Sequence, residues 1–423
     1  MIRHSSAAAR ARRPAQLLGL ILACAAVVQA QTPARVSRSG EAGRATPERL
    51  GFSRERLARL DRYIEGEILQ RHKSGAVVLV ARHGRIAWEK AYGLADVASG
   101  RPMRMDAMFR LMSMTKPVTS VALLTLYEQG KFQLTDALAE HLPQFRDVKL
   151  YTGNDATGQM ILKPPKRPIT IQDVFRHTAG FTYGGYFEDI PVDKAYRNAG
   201  IEYAKLGSVD ELARKVAGMP LLYEPGERWV YSYAHDVQAA LVEHFSGVAF
   251  DEYCRRAIFQ PLGMKDTVFG MPEERAGRYP TAYAADGSGG IKGVAREDDL
   301  YVHMTGHPFG GVGLAPTARD YLRFAQMLLN GGKLDGVRIL GRKTVELMIS
   351  DHLPFRDAGL GARGALRLGR VRAQRSGAGG QPRLARAVRL ARVCKRLVRG
   401  RSEGGSHRAA LHPVHPQRRA LRR

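Results

Sequence analysis

The chain has 423 residues and is 44% hydrophobic, enough for a substantial core in one large domain or two smaller ones. A formal net charge of +26 first suggests a nucleic-acid binder, but residues 361–423 alone hold 17 Arg, one Lys and one Glu and so supply +17 of it. The body of the chain is only mildly basic, which removes specific nucleic-acid binding as its main role, and three scattered cysteines exclude a disulfide framework.

In chain order, Arg10, Arg12 and Arg13 precede an apolar stretch over 17–30 that ends in Val-Gln-Ala. This predicts a secretory leader over 1–30, cleaved after Ala30, and a periplasmic protein. The stretch is too short for a firm transmembrane anchor, and no later stretch is long and apolar enough to span a bilayer. Cys24 offers a weaker lipoprotein reading, because Leu22 fits that pattern poorly. Residues 31–46 form a polar Arg/Ser/Pro/Gly linker. With Cys24 in the leader and Cys394 in the basic tail, Cys254 is left alone.

From Leu57 to Leu69 apolar residues recur at helical spacing, with Ser53 as the cap. "GAVVLVARHGRIAWEKAYG" reads as two strands around a turn at His83-Gly84. An apolar helix follows Ser113 and stops at Gly130. "DALAEHLPQF", "ITIQDVFRHTAGF", "SVDELARKVAG" and "YAHDVQAALVEHFSG" read as helices joined by Gly/Pro-rich turns, and "ARDYLRFAQMLLNGG" as an amphipathic helix with a glycine stop. The order predicts an N-terminal helix, a strand pair, a long helical middle and an end that returns to the sheet.

Within this order Ser113 and Lys116 stand one helical turn apart at the mouth of the apolar helix. A Ser-x-x-Lys pair arises by chance about once in a chain of this length. Its chemical reading is a serine nucleophile whose proton a buried lysine amine accepts, with the helix N-terminus favouring the developing oxyanion. Pro117 fits only a helix that has just begun. A second cluster, "PGERWVYSYAHDVQ", places Tyr231 after a Pro-Gly turn and before a helix. It is either a proton relay whose anion Lys116 supports or an aromatic packed beside Trp229 and Tyr233.

Taken together, "SMTKPVTSVALLTLYEQGKF", "ITIQDVFRHTAGFTYG", "PGERWVYSYAHDVQAALVEHFSG", "PLGMKDTVFG" and "GGVGLAPTARDYLRFAQMLLNGG" occur in an order that resembles the serine β-lactamase-related family. That family takes in class C β-lactamases, D-alanyl-D-alanine carboxypeptidases and esterases of the same fold. The resemblance covers residues 46–348. It implies an α/β sandwich, an antiparallel sheet flanked by helices, with a helical lobe and the site between them. It also implies Ser113 as acylated nucleophile, Lys116 as base and Tyr231 as proton relay, with no cofactor and no metal. The second motif departs from the class C form: Tyr231-Ser232-Tyr233 lacks the asparagine of Tyr-x-Asn. This shifts the expected substrate from a β-lactam to a small carboxylic ester, with a β-lactamase or penicillin-binding carboxypeptidase as the alternative. His177 is read as loop-fixing, and His235 and Asp236 as helix-start residues. No His/Cys/Asp cluster has metal-ligand spacing, and the Gly-rich "HPFGGVGL" lacks the lysine of a phosphate loop.

Residues 361–423 admit two readings: a basic binding arm, or out-of-frame coding. Shifted by one base, Arg389 to Lys395 can encode G-W-L-G-Y-A-S, and neighbouring stretches can encode strand-like runs in the same shift direction. The second reading is preferred. It places the catalytic domain at 47–360 and leaves it without its closing strands. An inactive member of the family, or a basic-tailed binding protein, is the corresponding alternative function.

Overall fold

The computed structural model describes residues 45–185 and 190–353. The expected leader, nearly all of the linker and the whole Arg-rich stretch lie outside the described residues, as does the end expected to return to the sheet.

Helix α1 (Arg54–Leu69) begins at the expected cap: Ser53 is extended and its Oγ accepts the Arg56 N–H at 3.2 Å. The antiparallel pair β1 (Gly75–Arg82) and β2 (Arg85–Asp96) follows, in register from Gly75 opposite Gly93 to Arg82 opposite Arg85. Its two-residue turn has φ +54° at His83 and +71° at Gly84, and two positive φ values match the twist of a tight hairpin. A short β3 (Arg101–Pro102) pairs with the other edge of β2. Among the described residues β1 therefore has no strand on its outer side. Its apolar run Val77–Val78–Leu79–Val80 is only half-buried, and no residue of this sheet joins the main hydrophobic core.

That core belongs to the helical lobe. At its centre is α2 (Lys116–Glu128), which is apolar on several faces and so must be surrounded on several sides. One neighbour is α3 (Ala234–Ser246), and Ser120 Oγ donates to Gln238 Oε1 at 2.9 Å between the two helices. Gly130, at φ +72°, ends α2 as the sequence predicts. Helix α4 (Ala318–Leu329) packs on β1 and carries the pair Arg319–Glu89 to β2 at 2.7 Å. Its Tyr321 hydroxyl donates to the Met114 carbonyl at 3.0 Å, tying sheet, helix and the start of α2 together.

Two expected helices are shorter than their patterns. The segment over 136–145 gives one turn, Leu138–His141, because Pro143 starts a separate 3₁₀ turn. The segment over 169–181 gives Ile171–Phe175, with Thr170 and Asp173 forming a capping box, and His177 at φ +58° ends it. Asp173 is buried, which pushes its carboxyl up. Hydrogen bonds from Arg167 and Arg176 outweigh that and hold it down to about 2. A hairpin of Leu150–Asn154 with Met160–Lys163 was not expected. Its signal is the turn-rich Asn-Asp-Ala-Thr-Gly between two apolar runs, where Asp155 accepts the Thr157 and Gln159 N–H groups. Among the described residues no helix is long and apolar enough to cross a membrane.

Candidate active site

Ser113 is not the first residue of the helix, as expected, but lies in a 3₁₀ turn, Met112–Thr115, just ahead of α2. Proline explains the difference. Pro117 has no N–H to give to the Ser113 carbonyl, which instead takes the Lys116 N–H in the tighter pattern. The residue before the serine, Met112, has φ +49°, a conformation that costs a side-chain-bearing residue about 1–3 kcal/mol. The surroundings hold it there. The Met112 N–H donates to the hydroxyl of wholly buried Tyr301 at 2.7 Å, and the Leu111 N–H donates to the Leu314 carbonyl at 3.0 Å.

The three residues singled out in the sequence meet at one point. The Tyr231 hydroxyl donates to Ser113 Oγ at 2.6 Å, and Lys116 Nζ donates to the same oxygen at 3.2 Å. Lys116 is 4% exposed, and its Nζ also donates to the Gly311 carbonyl at 2.8 Å. The same Nζ lies 4.7 Å from the centre of the Tyr231 ring and 5.7 Å from that of Tyr183. One serine hydroxyl thus touches both a buried amine and a phenol, either of which can exchange a proton with it.

The histidines nearby are spectators in charge. Burial, with the Lys116 charge added, pushes His177 down to about 3, and its Nδ1 lies 3.2 Å from Ser232 Oγ. Burial, His177 and Lys116 together push His235 well below its ordinary range. Both stay neutral at physiological pH. His177 also caps its loop in the left-handed region, in keeping with a loop-fixing residue. Asp236 lies in the first turn of α3, as expected, but it is wholly buried. Burial pushes its carboxyl up to about 6 against the opposing pull of Lys116 and the Gly311 N–H. Tyr233, at the place of the missing asparagine, is committed to the core: its hydroxyl donates to the Ile201 carbonyl at 3.0 Å.

Gly310 and Gly311 were set aside in the sequence as no phosphate loop, and they line the site. The Gly310 carbonyl accepts from Thr119 Oγ1 at 2.8 Å, while Gly311 holds Lys116 as above. A Cβ on Gly310 would lie 2.0 Å from the His235 carbonyl oxygen. The usable signal was Gly-Gly-Val-Gly running into a strand-like stretch, which marks close backbone approach. The sequence showed no metal-ligand spacing, yet Asp136, Glu140 and His141 bring their ligand atoms within 4.8 Å of one another. Asp136 Oδ2 already accepts the Gln133 N–H at 2.8 Å and lies 3.1 Å from His141 Nε2, so the group is explained as a turn lock.

The family model for beta-lactamases matches residues 59–402. The chain belongs to the beta-lactamase family. Protein Rv1367c of Mycobacterium tuberculosis is 34% identical over 284 residues, spanning 66% of this chain and 68% of that protein. Esterase EstB of Burkholderia gladioli is 33% identical over 294 residues, spanning 63% of this chain and 68% of its own length. Among solved structures, EstCE1, described as a hydrolase with promiscuous acyltransferase activity, superposes with a TM-score of 0.55 at 29% identity, over 70% of this chain and 77% of that one. The fold is accordingly the β-lactamase/transpeptidase fold. By family, this chain is an enzyme of the serine hydrolase type.

Proposed function

We propose that the protein, with its closing strands in frame, hydrolyses small carboxylic esters through an acyl-enzyme on Ser113. The observation that carries this is the convergence of Tyr231 and Lys116 on one serine oxygen, at 2.6 and 3.2 Å. Lys116, acting as base, takes the Ser113 proton, directly or through Tyr231, and Oγ attacks the ester carbonyl carbon. The bond from that carbon to the alcohol oxygen then breaks, and Tyr231 returns a proton to the departing alkoxide. Water repeats the sequence on the acyl-enzyme and releases the acid. The positive end of α2 favours the oxyanion that forms beside it.

An ester is favoured over a β-lactam because the second motif carries Tyr233, whose hydroxyl is spent on the core, where an asparagine would bind a lactam amide. The name of esterase EstB supports the same choice. Short-chain nitrophenyl esters should be turned over much faster than a chromogenic cephalosporin. The reverse order would replace this reading with β-lactamase activity, and stable labelling by a fluorescent penicillin would point to a slow penicillin-binding protein.

We propose further that residues 361–423 are out of frame, although the family match runs on to residue 402. The half-buried Val77–Val80 run, on a strand that has no outer neighbour among the described residues, supports this, since an apolar edge of this length is normally covered. Replacing the tail with its shifted-frame sequence should restore activity and cooperative unfolding together. A confirmed frame in a chain that already unfolds cooperatively and cleaves esters would refute the proposal.

A further inference from the structure

Asp236 is wholly buried and lies five residues after Tyr231. A buried carboxylate must find donors, and the ones it finds are informative. Oδ1 accepts the Gly311 N–H at 2.8 Å, and Oδ2 accepts the Tyr203 hydroxyl at 2.9 Å. The carbonyl of the same glycine accepts from Lys116 Nζ at 2.8 Å. Lys116 Nζ in turn reaches Ser113 Oγ. There is no slack in this line. A Cβ on Gly311 would lie 2.6 Å from Asp236 Oδ2 and 2.9 Å from the Tyr203 hydroxyl. The neighbouring Gly310 is pinned to α2 through Thr119.

We infer that Asp236 is a positioning residue: it grips Gly311 by its N–H so that the Gly311 carbonyl holds Lys116 Nζ against Ser113 Oγ. The inference rests on the reading of Ser113 and Lys116 given above. Asp236 acts through Gly311, since its own hydrogen bonds go to Gly311 and Tyr203. A grip and a charge effect separate under substitution. Asparagine keeps an acceptor oxygen for the Gly311 N–H and loses the charge, whereas alanine loses both. The charged and titratable groups facing Asp236 are Lys116 from α2 and the three hydroxyls of Tyr183, Tyr203 and Tyr233; His177 and His235 nearby are neutral.

The test uses the full-length protein with its tail in the shifted frame as parent, alongside the chain as it stands, with two readouts. One is the rate of reductive methylation of Lys116, read from the mass of its peptide. The other is the rate at which Ser113 takes a fluorophosphonate probe. In Asp236→Ala, Lys116 should methylate at least about tenfold faster, as a lysine freed from its hold opens more often. Ser113 labelling should fall by about 10²-fold, the usual cost of a reacting group displaced by an ångström. Asp236→Asn should stay within about threefold of the parent in both, because the acceptor for Gly311 remains. Equal methylation rates in all three proteins would overturn the inference. So would an asparagine variant that behaves like alanine, since charge rather than grip would then be at work. If the alanine variant loses its cooperative thermal transition, Asp236→Leu takes its place, filling the space without an acceptor. If Ser113 in the parent chain refuses the probe, the nucleophile reading fails, while the lysine rates still decide the grip.

Discussion

Ser113→Ala should reduce ester hydrolysis by at least about 10³-fold, to the level left by binding and oxyanion stabilisation alone. The size follows from the site's economy. Lys116 and Tyr231 both aim at the Ser113 oxygen, and among the described residues neither hydrogen-bonds another hydroxyl: Lys116 otherwise meets a carbonyl. The histidines cannot substitute as a charged acid, because burial holds both neutral, and Ser232 beside His177 is itself buried. Stability should barely change. The serine is half-buried and its loss removes two hydrogen bonds that are internal to the site, worth about 1 kcal/mol each. The measurement is a steady-state rate of the frame-restored protein with a short-chain nitrophenyl ester alongside a thermal melt of the same sample. A lost rate with an intact melt separates chemistry from folding.

Gly310→Ala should be the most damaging one-carbon change near the site. The added methyl would sit 2.0 Å from the His235 carbonyl oxygen and 2.9 Å from the Ala239 Cβ. Neither neighbour is the free end of a flexible side chain, so a backbone must move. Overpacking of that kind costs about 3 kcal/mol, at the upper end of what small-to-large changes do. The move would also act on catalysis. Gly310 is pinned to Thr119, and the next residue holds Lys116, so pushing this segment off α3 withdraws the carbonyl that orients the amine. Ester hydrolysis should fall by about 10²-fold even at a temperature where the variant remains folded. Chemical denaturation and initial rates at one temperature check the two effects. A variant that keeps parental stability and rate would show that the segment relaxes freely.

The parts of this molecule that were legible in its sequence are those governed by short range. The Ser53 cap, the His83-Gly84 turn and the Gly130 stop each depend on residues within one turn of themselves. Ser113 and Lys116 were readable because helical spacing puts residues three apart on one face. Tyr231 was readable only as one of two options, since its approach to Ser113 is made by the tertiary fold across 118 residues. Asp236 looked like an ordinary helix-start residue because its partners, Gly311 and Tyr203, are distant in the chain. The helix over 169–181 was overestimated for the opposite reason. The apolar pattern continues past Phe175, but His177 adopts a left-handed backbone that no helix period reveals. Family resemblance supplied the order of the segments, and the geometry supplied the contacts among them.

The most direct test of the account is to catch the intermediate. The protein, as written and with its tail in the shifted frame, is mixed with a nitrophenyl ester, quenched in acid at short times, digested and mapped by mass spectrometry. The account predicts that the frame-restored protein carries one acyl group on Ser113, appearing with the burst of nitrophenol and decaying as hydrolysis completes, and that Ser113→Ala carries none. Ester turnover with no acyl group on Ser113, or with the acyl group on another residue and undiminished in Ser113→Ala, would contradict it.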